Sequence, residues 1–481
     1  MKANNFLIKS NFAIGNRLHY IFIFMLSIFI SGCESFVELD SAGSELSTKA
    51  VFDNPSAANT ALTAIYAEVI RTRVPLDIAT RTGLYSDELT DYSNNIYVTP
   101  WYQNGLDVSV VVPSWCWNNF YKFIYQANSV IEGSLKSQKL SSALKQQLIA
   151  EALFIRAYSY FYLVNLYGDV PLILTTDYDL NARMARSNHN DVYEQIIIDL
   201  KEARQNLYSN YVGADGLTPT VERVRPNQAA ASALLARVFL YKQDYPSAEE
   251  AASFVIDESA LYDIVALNEA FLKNNREAIW QIPQSTTQGN PNTLEAADFV
   301  LLARPNNYTV SNYLLNAFEH EDKRREYWIG VFRDETTEST EEYYFPNKYK
   351  VKNDPVAIEY STALRLAEQY LIRAEARVHQ GNIPGALSDL NVIRKRAGLM
   401  TSTTNDVPEL LNVILHERQV ELFTEWGHRW LDLKRTGTVD KVMGIVTPQK
   451  GGTWDSYKQF WPIQQTEIDR NSNLVQTLGY D

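Results

Sequence analysis

The carboxylates best placed for acid–base chemistry lie in HERQVELFTEWGHRWLDLKR. Glu417 and Glu421 stand four residues apart there, Glu425 follows, and Arg418, Arg429, Asp432 and Arg435 are interleaved with them. Glycoside hydrolysis uses such a pair, one carboxyl group on each side of the sugar. Neighbours at i and i+4 leave a helix in the same direction and cannot easily flank a ring. Interleaved guanidinium groups also favour the ionised form of a carboxylate over a proton-donating one. The cluster therefore reads as a structural ion-pair network. No GxSxG, HExxH, GxxxxGK or Cys-x-x-Cys motif is present. His189, His320, His379, His416 and His428 are scattered without metal-ligand spacing. We therefore expect no catalytic group, no metal and no cofactor.

Binding chemistry is more legible. YSNNIYVTPWY, residues 92–102, and RPNNY, from Arg304 to Tyr308, mix aromatic rings with amides and a guanidinium group. Pyranose C–H faces stack on aromatic rings, and sugar hydroxyls need donors and acceptors at the rim. Trp101 is the first choice for a stacking platform, with Tyr92, Tyr97, Tyr102, Tyr308 and Trp328 as further candidates. Asn94, Asn95, Arg304, Asn306 and Asn307 would supply hydrogen bonds. A peptide can use the same side chains, so a peptide ligand remains the alternative.

These residues fall in stretches without helical period, 86–116 and 281–313, inside a chain that is otherwise helical in pattern. Loops this long within a domain are usually functional or disordered, and their Trp and Tyr content argues against disorder. PSAANTALTAIYAEVI places Ala58, Leu62, Ile65, Tyr66 and Val69 on one stripe. Residues 117–132 and 141–167 are helical too, and the second is apolar nearly all round, which predicts burial. A repeat is visible in ARVFLYKQDYPSAEEAASFVI and AEARVHQGNIPGALSDLNVIR: Ala236 and Ala374 each precede a second alanine, Ala248 or Ala386, by twelve residues. Pro246 and Pro384 occupy equivalent places, where a second helix would begin. This is the pattern of a tetratricopeptide-like hairpin, in two clear copies within an irregular solenoid.

The start of the chain bears on location. Lys2, Lys9 and Arg17 precede IFIFMLSIFI, an apolar run from Ile21 to Ile30. It is too short to span a bilayer, which takes about 20 residues, and it ends in Ile30-Ser31-Gly32-Cys33. That order describes a secretory signal over 1–32 with a lipobox, so Cys33 is the expected site of lipidation. Residues 34–50 are small and polar and read as a flexible tether, with the body beginning at 51. Loss of 1–32 removes three of the 44 basic residues and no acid, which takes the net charge from −13 to −16. Such an excess argues against nucleic acid and against electrostatic membrane binding. Cys116, the only other cysteine, lies between Trp115 and Trp117 and reads as a buried structural thiol.

Several stretches together resemble the SusD/RagB family of Bacteroidetes nutrient-uptake lipoproteins. WNNFYKFIYQANSVIEG resembles the family's first inner helix, and LLNAFEHEDKRREYWI its Phe, acid, Asp-x-Arg helix. FPNKY and RLAEQYLIRAEARVHQGNIPGALSDLNVIRKRAGL are similar to its signature hairpin, and HERQVELFTEWGHRWLDLKRTG follows in order. WPIQQTEIDRNSNLVQTLGY resembles the closing motif, departing at Gln464, Ser472 and Thr477-Leu478. The resemblance implies an all-α body of about four tetratricopeptide-like hairpins in a right-handed superhelix, with long irregular insertions carrying the ligand face. It divides the body into an N-terminal part, about 51–220, and a C-terminal part, about 270–481. It implies a surface-exposed, lipid-anchored outer-membrane protein without enzymatic activity. Such a protein binds a nutrient, usually an oligosaccharide, and delivers it to a SusC-like TonB-dependent transporter. A SusD-like binder of peptides or another non-glycan nutrient is the alternative, and a lipoprotein glycosidase a more distant one.

Overall fold

Two hairpins repeat one local design in the computed structural model, which describes residues 49–108, 115–284, 289–336 and 340–480. The signal segment, Cys33 and all but the last two residues of the tether lie outside the described residues. In chain order the main elements are α1 (Pro55–Arg71), α2 (Val74–Tyr85), β1 (Leu89–Asp91), α3 (Thr99–Tyr102), α4 (Trp115–Lys136), α5 (Ser142–Tyr167), α6 (His189–Asn206), α7 (Gln228–Tyr241) and α8 (Tyr245–Ile256). They continue with β2 (Ala278–Ile282), α9 (Leu294–Phe299), β3 (Tyr308–Val310), α10 (Lys323–Trp328), β4 (Ile329–Asp334), β5 (Glu341–Pro346) and β6 (Ser361–Arg365). The last are α11 (Leu366–His379), α12 (Ile383–Arg396), α13 (Val407–Glu421), α14 (His428–Arg435) and α15 (Val439–Gln449).

Hairpins α7–α8 and α11–α12 follow the repeat read in the sequence. Ala236, Ala248, Ala374 and Ala386 are all fully buried, so the paired helices approach without intervening bulk. Pro246 and Pro384 sit in the first turns of α8 and α12. The Asp244 and Asn382 side chains cap those turns by accepting from Ser247 N (3.3 Å) and Gly385 N (3.1 Å). The reversals differ in chemistry: Gly381 takes φ 78° and Gln243 φ 59°, a conformation that costs a glycine little and a glutamine more. Helix α4 packs on α5, α5 on α6, and α8 on α11, which extends the layered helical body.

Helix α5 is buried on all sides over most of its length. Its buried charged residues are paired, Glu151 with Arg225 at 2.7 Å and Arg156 with Asp199 at 2.7 Å, as burial requires. The protein is mostly helical, and beyond the all-α expectation its described residues form three two-stranded antiparallel sheets, β1–β3, β2–β6 and β4–β5. All lie in or beside the insertions, where alternation is too short to read against turn-forming residues. No helix among the described residues is long and apolar enough to cross a membrane.

Candidate functional site

Pairing of β1 with β3 joins the two stretches read as ligand loops. Asp91 lies opposite Tyr308, Thr90 opposite Thr309 and Leu89 opposite Val310. The Tyr92 N–H then extends the ladder to Asn307 O at 2.7 Å. The pair is rooted below by Asp87, whose carboxylate takes two bonds from Arg429 (2.8 and 2.7 Å), and by Ser311 N, which donates to Glu88 O at 2.9 Å. Beyond β1 the loop is pinned by its own side chains. Asp91 Oδ1 accepts from Ser93 N (2.8 Å) and Ser93 Oγ (2.6 Å), and Asn95 Oδ1 accepts from Tyr97 N (2.9 Å). Such local bonds hold a loop without packing it. Tyr92, Asn94, Asn95, Ile96 and Tyr97 therefore stand exposed, Tyr97 at 53%.

A third segment completes the surface. In the β4–β5 hairpin Tyr343 faces Tyr92 edge to face, with ring centroids 5.8 Å apart at 85°. Arg304 reaches this hairpin from the β3 side: its Nη2 donates to Glu341 Oε2 at 2.6 Å and its Nε to the Tyr343 hydroxyl at 3.1 Å. The same Nε lies 3.1 Å from Asp334 Oδ2. Tyr343 donates in turn to Glu341 at 2.5 Å. The result is an aromatic ledge of exposed Tyr92 and Tyr97 and half-buried Tyr343, edged by Asn94, Asn95, Asn306 and the Arg304 clamp. Asn307, half-buried, donates to Asp298 at 3.5 Å. Tyr308 and Tyr102 are half-buried behind the ledge. Burial pushes the Tyr308 phenol up to about 12, and the Lys450 ammonium lies 5.3 Å from the Tyr102 ring.

Two sequence candidates are corrected. Trp101 is 1% exposed, set edge-on against Trp461 (4.7 Å) and Tyr85 (6.1 Å), with the Arg81 guanidinium 5.7 Å from its ring. The short helix α3 turns this side chain into the core, so it offers no face to a ligand. Trp328 is fully buried, donates its indole N–H to Leu267 O at 2.9 Å and lies 5.5 Å from Phe271. Its ring supports the buried cations Lys348 (4.9 Å), Arg396 (5.5 Å) and Arg365 (5.9 Å). Tyr343 went unread because its hairpin was not recognised: EEYYFP runs from exposed acids to buried Phe345 without alternation, so no period marks it as a strand.

The acidic cluster is the network its spacing predicts. Arg365 binds Glu421 (2.6 Å), Glu425 (2.7 Å) and Glu277 (2.9 Å), and Arg324 binds Asp322 (2.7 Å), Glu417 (2.6 Å) and Glu421 (3.0 Å). Glu417 and Glu421 are fully buried. Despite the desolvation that opposes it, three guanidinium groups hold the Glu421 carboxyl well below the usual range. No polymer can reach these oxygens.

Helical hairpins carry the aromatic ledge on inserted loops, and known proteins share this scaffold. The model of the SusD family matches residues 304–480, and a model described as starch-binding associating with outer membrane matches residues 42–240. SusD-like protein P2 of Formosa agariphila is 27% identical over 410 residues, covering 75% of this chain and 79% of that protein. A SusD superfamily protein from Bacteroides vulgatus superposes with a TM-score of 0.75 at 21% identity, covering 89% of this chain and 99% of that one. A laminarin binding SusD-like protein gives 0.74 at 22% identity, covering 88% and 99%. The chain belongs to the SusD/RagB family.

Proposed function

We propose that this protein binds an oligosaccharide on the ledge of Tyr92, Tyr97 and Tyr343 and passes it, chemically unaltered, to a SusC-like TonB-dependent transporter. It does so at the cell surface, held to the outer membrane by lipid on Cys33. The observation that carries the reading is the convergence of three distant segments on one exposed aromatic surface rimmed by amides. An exposed ring stacks on the C–H face of a pyranose, while Asn94, Asn95 and Asn306 meet its hydroxyls. A structural relative that binds laminarin makes β-glucan the first ligand to try. Affinity electrophoresis of the mature protein through gels containing a panel of plant, algal and host polysaccharides tests this. The reading expects retardation by at least one polysaccharide, without release of new reducing ends. Unretarded migration across the panel, or turnover of a retained polymer, would refute it.

A further inference from the structure

The three segments of the ledge carry unequal charge. Among the described residues of 89–102, 300–310 and 329–346 there are five carboxylates, Asp91, Asp334, Glu335, Glu341 and Glu342, and two guanidinium groups, Arg304 and Arg333. Both guanidinium groups are already ion-paired with carboxylates of the same surface. Arg304 is 54% exposed, so pairing, not burial, occupies it: Glu341 and Asp334 hold it from two sides. Arg333 is bound to Glu342 at 2.9 Å.

Three of the carboxylates are held in their charged form. The Tyr343 hydroxyl, then Arg304, holds Glu341 below the ordinary carboxylate range, and the Tyr344 hydroxyl, then Arg333, does so for Glu342. The Thr336 hydroxyl and N–H do the same for Asp334. Glu335 is exposed and has no basic residue beside it in the hairpin. Behind the ledge Arg73, Arg81 and Lys352 face Asp77 and Asp298, a surplus of one positive charge against three negative on the ledge, and burial draws the Lys450 ammonium under Tyr102 down toward its neutral form, so the floor does not reverse the sign.

We infer that the ledge selects uncharged glycans and turns away those bearing carboxylate or sulfate groups. This rests on the glycan-binding reading above and deepens it. An acidic polymer laid along Tyr92 and Tyr343 brings repeated anions within a Debye length, about 8 Å at physiological salt, of a surplus of carboxylates, with no unpaired cation among the described residues of the three segments to receive them. A neutral polymer meets the same oxygens as hydrogen-bond acceptors for its hydroxyls.

The test pairs neutral polysaccharides with charged derivatives of the same backbone: laminarin with sulfated laminarin, and hydroxyethylcellulose with carboxymethylcellulose. In affinity electrophoresis at about 20 mM salt the neutral member should bind at least about ten-fold more tightly, and the gap should narrow near 500 mM. Glu335→Lys, which leaves every ledge contact in place, should narrow it at low salt. Equal or tighter binding of the charged member, or no effect of Glu335→Lys, overturns the inference. A second arm needs no glycan. With 3-fluorotyrosine placed at position 92, a cationic nitroxide should broaden the fluorine resonance about three-fold more than an anionic one; equal or reversed broadening overturns the inference. If no polysaccharide is retained, the glycan reading fails alone, and the nitroxide arm still decides the charge of the ledge.

Discussion

Replacing Trp101 with alanine separates a core role from a ligand role. The indole is enclosed by Tyr85, Trp461 and Arg81, and Tyr85 also packs on Trp430 at 4.9 Å, so the cavity cannot close by the movement of one loop. Truncating a buried Trp to Ala costs about 3–5 kcal/mol. Unfolding entropy of about 2.1 cal/mol/K per residue over Val51–Asp481 gives about 0.9 kcal/mol/K, so the melting temperature should fall by about 3–6 °C. Scanning calorimetry reads the shift, with Tyr92→Ala as the exposed control that should stay within about 1 °C of wild type. Glycan affinity of Trp101→Ala, measured well below its transition, should remain near that of wild type. An unchanged melting temperature with lost affinity would refute the core assignment and return Trp101 to the ligand face.

Glu88 is buried beside Asp87, and desolvation raises its carboxyl to about 8. The native state then binds a proton that the unfolded chain releases, so this group's contribution to stability falls as pH rises from about 4.5 through 8. Glu88→Gln keeps an acceptor for Thr424 N; its melting temperature relative to wild type should rise between pH 5 and pH 9, and a flat difference would contradict the burial argument. Cys33→Ala should abolish lipid labelling and release the protein from the membrane fraction, and a membrane-bound variant would count against the anchor. Mild detergent extraction of the native protein should recover a large β-barrel partner in near-equal amount; recovery of the protein alone would count against delivery to a transporter.

What the sequence discloses follows the range of the interaction. Helix hairpins are written locally, in the alanine and proline register of α7–α8 and α11–α12, and they stand where the pattern put them. The structural fate of Glu417 and Glu421 was legible from the interleaved arginines, but not their partners: Arg324, Arg365, Arg394 and Arg396 come from other elements, while Arg418, Arg429 and Arg435 pair with Asp432, Asp87 and Glu375. The ledge was half legible. Its loops showed an aromatic and amide composition, but their junction depends on a strand pair linking Asp91 to a residue more than 200 positions away. Composition also carries no direction. TPWY and KRREYW place a tryptophan near the end of a short helix, and only tertiary packing decides that both rings turn inward. Tyr343 escaped for the opposite reason, since a six-residue strand beside charged residues is indistinguishable from a polar loop until its partner is known.

The central claim is that the tyrosines of the ledge hold a sugar polymer. Isothermal titration of the most strongly retained neutral polysaccharide into wild type and into Tyr92→Ala/Tyr343→Ala tests it most directly. With both rings removed the affinity should fall by about 2–3 kcal/mol, roughly 30- to 150-fold, while the melting temperature holds. Unchanged affinity in a folded double variant would contradict the claim and place the binding surface elsewhere on the protein.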